Sequence, residues 1–375
     1  MHDVTNLVQD PLALETLEQA IADPTRLPPL RDVKIKVTSR CNLRCAMCNY
    51  WKTTSEQALS TPRWQGVLDE LKTLGARKIH VSGGEPFLRR DLVELLEHAC
   101  ELKLKVNLTT NGTLTTREQA RRMVKAGVNA VSISLDGPSP KLHDEIRGRE
   151  GAFQTSTKTI KWLVRDAERY RKKLKVRINF VLMPSNYRKA AQMVEVAHEL
   201  GAMDLVPMPV DLEDPNERLS RSQMERYNAE IAPEVERLRA EAGFSSDPGR
   251  VFPFGTSAED LRYSRLGRYA RGYFERHTCY APWLHTFLAW NGDVFLCCMT
   301  NSAMEPLGNV SASSLESVLA GPRYAQVRRE FLAHRQHPNC HRCDLFLPES
   351  RELDASLAPR ARRLVVVEPA SPREG

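Results

Sequence analysis

Cys41, Cys45 and Cys48 lie on one short stretch, Arg40-Cys-Asn-Leu-Arg-Cys-Ala-Met-Cys-Asn-Tyr-Trp51, directly after the apolar alternation of Val33, Ile35 and Val37. Three thiolates on such a loop can hold three corners of a cubane iron–sulfur cluster. With no fourth cysteine nearby, one iron stays open to a ligand from outside the protein. Zinc accepts cysteines at similar spacings but closes a structural site with four protein groups, and the nearest histidine in sequence, His80, is remote. Cys279, Cys297, Cys340 and Cys343 form a second group. Four protein thiolates saturate a tetrahedral centre, so this one reads as closed, whether it holds zinc or a cluster.

The elements that must position these residues alternate along the chain. Apolar strand patterns fall at 33–38, 77–82, 104–109, 129–135, 174–182 and 203–208. Helical stretches separate them, such as Asp91 to Leu102, with Leu92, Leu95, Leu96 and Ala99 on one face, and Thr116 to Ala126, ended by Gly127. Repeated strand–helix alternation implies a parallel sheet, because parallel neighbours need long crossovers. The architecture expected is α/β, a partial (β/α)6 TIM-like barrel, whose ligands collect at the carboxyl ends of the strands. The cysteine loop sits at such an end, as does the run Gly83-Gly84-Glu85-Pro86 after Lys78-Ile-His-Val-Ser82.

Five segments are expected: an N-terminal arm at 1–30 carrying Pro24, Pro28 and Pro29, the barrel at 31–210, a helical connection at 211–278, a C-terminal cluster domain at 279–348, and a flexible tail at 349–375 that is loose after about Pro359. Asn291-Gly292, between Trp283-Leu-His-Thr-Phe-Leu-Ala-Trp290 and Asp293-Val-Phe-Leu-Cys-Cys298, predicts a two-residue hairpin turn. Residues 315–332 predict a helix broken at Gly321-Pro322.

Bulk properties narrow the class. The 375 residues include nine cysteines, an odd number in short spacings, which fits metal ligation in a reducing, cytoplasmic setting better than disulfides. Mean hydropathy of −0.43 argues against an integral membrane protein, and no apolar run approaches the roughly 18 residues a spanning helix needs. A net charge of +7 permits an anionic substrate without demanding nucleic acid. The stretch Arg262 to Arg276 interleaves arginine with aromatics, a composition that suits phosphates and bases, yet surface arginines covering a core give the same pattern.

The pairing of Cys-x3-Cys-x2-Cys after a first strand with Gly-Gly-Glu-Pro after a second resembles the radical S-adenosylmethionine (SAM) enzymes. The later pattern, Cys279-x12-Gly292-x4-Cys297, then Gly308-Asn309 and Cys340-x2-Cys343, is similar to the SPASM/Twitch branch. With no cysteine after Cys343 it resembles the shortened Twitch form. The resemblance implies two [4Fe-4S] clusters, one binding SAM at Cys41, Cys45 and Cys48 and one auxiliary at Cys279, Cys297, Cys340 and Cys343. It further implies that reductive cleavage of SAM gives a 5′-deoxyadenosyl radical that abstracts hydrogen from a C–H bond, with a flavodoxin- or ferredoxin-type electron donor.

Residue by residue, the resemblance assigns Gly83, Gly84 and Glu85 to the methionine amino group, Ser134 and Asp136 to the ribose and methionine end, and Arg147 to the carboxylate. Asn111 falls on the same face. Met47 stands where the family often has an aromatic near the adenine, and a thioether fills similar apolar space. Cys298, beside a ligand and pointing the other way if on a strand, is either a buried thiol or a hydrogen-atom donor. Cys100 reads as core. The single auxiliary set resembles the dehydrogenase that oxidises 2-deoxy-scyllo-inosamine, so the expected substrate is a small sugar, aminocyclitol or similar polar metabolite, dehydrogenated or epimerised. The alternatives are peptide maturation and a non-catalytic metal protein on nucleic acid; no membrane partner is expected.

Overall fold

A computed structural model describes residues 4–27, 30–52, 57–212, 214–301 and 303–364. The first six strands are β1 (Asp32–Lys36), β2 (Lys78–Ser82), β3 (Lys105–Thr110), β4 (Ala130–Ser134), β5 (Lys175–Leu182) and β6 (Asp204–Pro209). The remaining three are β7 (His285–Leu288), β8 (Asp293–Phe295) and β9 (Gly308–Asn309). They form one sheet in the order β6-β5-β4-β3-β2-β1-β7-β8-β9. Each of β1 to β6 pairs in parallel with its sequence neighbour, as the alternation required, while β7 adds to the free edge of β1, also in parallel. β8 and β9 continue antiparallel, so the C-terminal hairpin extends the barrel sheet.

Strand periodicity divides the barrel sheet into two unlike faces. Ile35, Val37, Ile79 and Val81 pack against Trp64 and Leu68 of helix Thr61–Thr73 and Leu95 and Leu96 of helix Leu92–Glu101. These side chains are almost wholly buried, and truncating one of the leucines to alanine would cost about 2–5 kcal/mol. The opposite, inner face is polar: Lys34, Lys36, His80, Asn107, Ser132 and Arg177 alternate with the core positions. Local signals fix the helix ends. The Thr116 side chain and Gln119 form a reciprocal cap on helix Arg117–Ala126, and Gly127 closes it at φ 91°.

The two chain ends depart from expectation. Within the segment expected as an arm, Thr5–Val8 and Pro11–Ala22 are helical, and Leu14, Leu17 and Ala20 are buried. Trp283 Nε1 donates to the Ala20 carbonyl at 2.9 Å and Arg328 Nη1 to the Pro24 carbonyl at 3.0 Å, which fastens the segment to the C-terminal part of the chain. Pro28 and Pro29 lie outside the described residues. Over the first part of the expected tail a helix runs from Leu347 to Leu364, through Pro359. It is anchored early: Asp354 Oδ1 accepts from Tyr280 Oη at 2.7 Å. Residues 365–375 lie outside the described residues.

In the arginine-aromatic stretch, the aromatics Tyr269 and Phe274 are buried. Tyr269 Oη donates to the Val210 carbonyl at 2.9 Å, and Arg271 pairs with Asp260 at 3.3 Å. These contacts make the stretch part of the core and its cover. No described helix is long and apolar enough to cross a membrane.

Candidate active site

The glycine loop and the cysteine loop fit together backbone to backbone. Gly84 N donates to the Thr38 carbonyl at 3.0 Å and Glu85 N to the Arg40 carbonyl at 2.8 Å. A Cβ on Gly84 would fall 2.2 Å from the Arg40 oxygen, and one on Gly83 would fall 2.8 Å from the Thr38 oxygen. Both glycines are needed because another chain segment, the approach to Cys41, occupies that space.

Glu85 is fully buried. Its Oε1 accepts from Phe87 N at 3.0 Å and Thr110 Oγ1 at 2.7 Å, and its Oε2 from Asn111 N at 2.8 Å. Burial pushes its carboxyl above the usual range while these donors oppose the shift. The side chain thus ties the end of β2 to the end of β3. Asn111 continues the brace: its Nδ2 donates to Asn42 Oδ1 at 2.9 Å, and Asn42 Nδ2 donates to Thr113 Oγ1 at 2.9 Å. The residue after Cys41 is therefore held from the end of β3.

On the other side of the cysteine loop, Arg147 Nη2 pairs with Asp136 Oδ2 at 2.6 Å, both groups being buried, and Arg147 Nη1 lies 3.6 Å from Cys45 Sγ. Asp136 Oδ1 accepts from Val181 N at 2.8 Å, linking β4 to β5. Burial raises the Asp136 carboxyl and Arg147 opposes the rise. His143 Nδ1 accepts from Asp136 N at 3.1 Å, and burial, with Arg147 nearby, takes that imidazole down to about 3. Ala46 N and Arg44 N donate to the carbonyls of Ile146 and Arg147 at 2.9 and 3.2 Å. Arg147, Asp136, Glu85 and Asn111 are thereby gathered around one loop. Ser134 is half-buried opposite Asn179 on the inner face, and Met47 packs on an apolar patch of Ile146, Met183 and Val210.

The three thiols sit within one another's electrostatic reach. Burial pushes Cys41 up to about 11, with Glu85, Cys45 and Cys48 adding to the rise. Burial likewise raises Cys45 against the pull of Arg147, and Cys48 against the pull of Lys36 and Arg147. Lys36 was not singled out in the sequence. It is 7% exposed, with Nζ 3.5 Å from the Tyr50 ring centroid and 5.5 Å from that of Phe287. Burial, then Lys34, lowers its ammonium to about 7. The missed signal was the lysine pair between Val33, Ile35 and Val37, since a central parallel strand covered on both faces reads as a continuous apolar run.

Cys279, Cys297, Cys340 and Cys343 are all buried, and all are free thiols. Burial takes Cys297 and Cys340 up to about 12 and raises Cys279 and Cys343 well above the usual thiol range, with the other cysteines of the group adding to the rise at Cys279, Cys297 and Cys343. Thiolates form in such a place when a metal centre supplies the opposing charge, so this donor set fits a cluster. Among the described residues no three His, Cys, Asp or Glu side chains converge on a point that would hold a single metal ion. β8 ends at Phe295, so Cys297 and Cys298 lie in the turn beyond it, not on the strand expected for them. Cys298 is half-buried near Phe287, Phe295 and Met304, and Cys100 is half-buried against the main core.

Known proteins resemble this chain in both halves. A family model for the radical SAM superfamily matches residues 35–197, and one for an iron–sulfur cluster-binding domain, SPASM, matches residues 279–344. A PqqA peptide cyclase of Bradyrhizobium diazoefficiens is 33% identical over 172 residues, 45% of this chain and 44% of that one. An AdoMet-dependent heme synthase of Oleidesulfovibrio alaskensis is 41% identical over 138 residues, 36% of each. The chain thus spans less than half the length of these curated relatives. Among solved structures, Streptococcus suis SuiB bound to S-adenosylmethionine aligns at TM-score 0.64 and 19% identity, over 84% of this chain and 71% of that one. The protein anSMEcpe, with bound AdoMet and Cp18Cys peptide, aligns at TM-score 0.58 and 17% identity, over 90% and 99%.

Proposed function

Because the chain belongs to the radical SAM superfamily and carries a SPASM iron–sulfur cluster-binding domain, with SAM and iron–sulfur clusters as its cofactors, we propose that it is a peptide-modifying enzyme that crosslinks or epimerises a residue after hydrogen abstraction. The observation that carries the radical chemistry is the loop of Cys41, Cys45 and Cys48 braced from three strand ends. Support for a peptide comes from the PqqA peptide cyclase relatives, which are about a third identical over nearly half of this chain. The sugar or aminocyclitol oxidation expected from the single auxiliary set gives way on that ground, since the curated relatives are named for a peptide cyclase and a heme synthase.

In this reading Cys41, Cys45 and Cys48 hold the SAM-binding cluster, and Cys279, Cys297, Cys340 and Cys343 hold the auxiliary one. When bound, SAM at the three-thiolate cluster supplies the deoxyadenosyl radical that takes hydrogen from an unactivated carbon. The chain's own residues position and seclude. The Gly83-Gly84 backbone offers a close approach for the methionine end, with Glu85 and Asn111 fixing that backbone from beneath. Arg147, held in place by Asp136, faces Cys45, and its fork of donors suits an anion at the open corner. Ser134 lies on the face that would meet the ribose, and the Met47 patch offers an apolar surface for the adenine. Cys298 is the thiol placed to return a hydrogen atom if the outcome is epimerisation. The division into barrel 31–210, connection 211–278 and cluster domain 279–348 belongs to the same proposal.

The test is anaerobic reconstitution followed by incubation with SAM, a reductant and peptides encoded beside the gene. A crosslink gives deoxyadenosine and a peptide lighter by two hydrogens. Epimerisation instead gives unchanged mass with solvent deuterium incorporated, and loss of that deuterium in Cys298→Ala with both clusters retained. Deoxyadenosine that never rises with any peptide sinks the peptide reading.

A further inference from the structure

The inner face of the barrel sheet carries two lysines, Lys34 and Lys36, that pair with no carboxylate among the described residues, although the Cys48 thiol lies within electrostatic reach of Lys36. The carboxylates that reach it are engaged: Asp32 with Lys78 at 2.8 Å and Asp204 with Arg239 at 2.7 Å near the amino ends of their strands, and Asp136, just past β4, with Arg147 at 2.6 Å. Lys34 and Lys36 have no carboxylate partner among the described residues, whereas Arg177 on the same face stands opposite Asp204 in the β5–β6 register. Lys36 is the most enclosed. It ends β1 and lies against Tyr50, two residues past Cys48, whose Oη accepts from Asn301 Nδ2 of the C-terminal domain at 2.9 Å. The ammonium therefore stands where the SAM-binding loop meets the auxiliary domain, inside the barrel mouth.

A buried cation without a counter-ion is costly, and an anion that reaches it recovers part of that cost. Aromatic faces at Tyr50 and Phe287 offset the loss only in part. We propose that the barrel interior receives an acidic segment of the substrate, and that Lys36, with Lys34 deeper along the same face, takes its carboxylate and so positions the carbon that reacts. This rests on the peptide reading for the source of the carboxylate. The rival role for Lys36 is compensation of the charge on the cluster held by Cys48, which predicts a different signature.

Anaerobically reconstituted holoenzyme with SAM is used to select binders from a random octapeptide pool. Asp and Glu are expected to be enriched at one position. A selected peptide and its Glu→Gln counterpart are then compared: in Lys36→Met the acidic peptide binds on the order of 30-fold more weakly, the amide peptide is unchanged, and Lys161→Met, an exposed lysine on helix Ala152–Arg169 away from the inner face, alters neither. Equal binding of the acidic and amide peptides to the unaltered enzyme overturns the proposal without any variant, which covers the case where Lys36→Met misfolds. An acid preference that survives Lys36→Met while the cluster EPR signal shifts also overturns it and assigns the lysine to the cluster. If the pool yields no binder, radiolabelled succinate is the second probe. Lys36-dependent succinate binding keeps the anion site and removes the peptide reading; no binding removes the site itself.

Discussion

Burial raises the thiols of both cysteine groups, but the two differ in exposure and in what opposes that rise. Cys41 and Cys48 are half-buried, and two cations, Arg147 and Lys36, pull the thiols of Cys45 and Cys48 toward ionisation. The later four are buried, and burial raises every one of them. Charge and access at the first group suit a centre that exchanges ligands with solvent. Enclosure at the second suits a centre that is sealed by protein and passes electrons or holds the fold.

The strongest way to break this contrast is to remove one thiol from each group. Cys45→Ala is expected to lower SAM cleavage by at least about 10^3-fold, because the cluster that meets SAM loses a corner. Cys340→Ala is expected to leave substrate-free cleavage within about tenfold while removing the second cluster's iron and lowering the melting temperature, since a closed metal site contributes to folding directly. Iron content, deoxyadenosine formation and calorimetry read both. If Cys340→Ala abolishes cleavage outright, the two regions are not separable in the way their burial implies.

Next in size is the fit of the glycine loop. Gly84→Ala places a methyl 2.2 Å from a backbone oxygen that cannot rotate away. The expected cost is about 3 kcal/mol, with the loop of Cys41 displaced and the first cluster lost before the second. Gly127→Ala offers a control, because no atom lies within 4 Å of its Cβ site, though its φ of 91° carries a strain of its own. Denaturation midpoints and iron content separate the two. Equal loss of both clusters in Gly84→Ala would mean that the glycine serves the sheet as a whole and not the loop.

Much of this was legible in the chain because period and spacing report backbone geometry directly. Six strands and the Gly127 helix end follow from local chemistry, and Asn291-Gly292 marks the hairpin, although its loop holds three residues, 290–292, between the paired Ala289 and Asp293, and not the two expected. Resemblance also identified the loop residues, but not what their side chains do. Glu85 was expected to meet the methionine end, yet its carboxylate is occupied by Phe87, Thr110 and Asn111. Arg147 was expected to await a carboxylate from outside, yet it already holds Asp136. Thr110 and Asn111 come from a strand end 25 and 26 residues away, beyond any short sequence window, and the nearer Asp136 carries no local pattern that marks it as the partner of Arg147. The terminal helices were missed for a related reason: Pro24, Pro28, Pro29 and Pro359 suggested breaks, while the buried contacts of Leu14, Leu17 and Leu353 came from distant chain.

The smallest effect concerns His143, which neither region uses as a ligand but which steadies Asp136 behind Arg147. Its ring is 1% exposed and meets Phe153 edge-on at 5.9 Å. The folded state keeps it neutral down to about 3, whereas its ordinary value is 6.5. Between those values the unfolded chain binds the extra proton, so stability falls as the pH drops below about 6.5 and stops falling below about 3. At pH 5 the loss is about 1–2 kcal/mol relative to pH 8. His143→Asn keeps an acceptor near the Asp136 amide and cannot titrate there, so it should flatten that slope by the same amount while changing little at pH 8. Urea midpoints at pH 5 and 8 for both proteins supply the comparison, and parallel slopes would mean that the imidazole opens to solvent and takes up its proton without unfolding the loop.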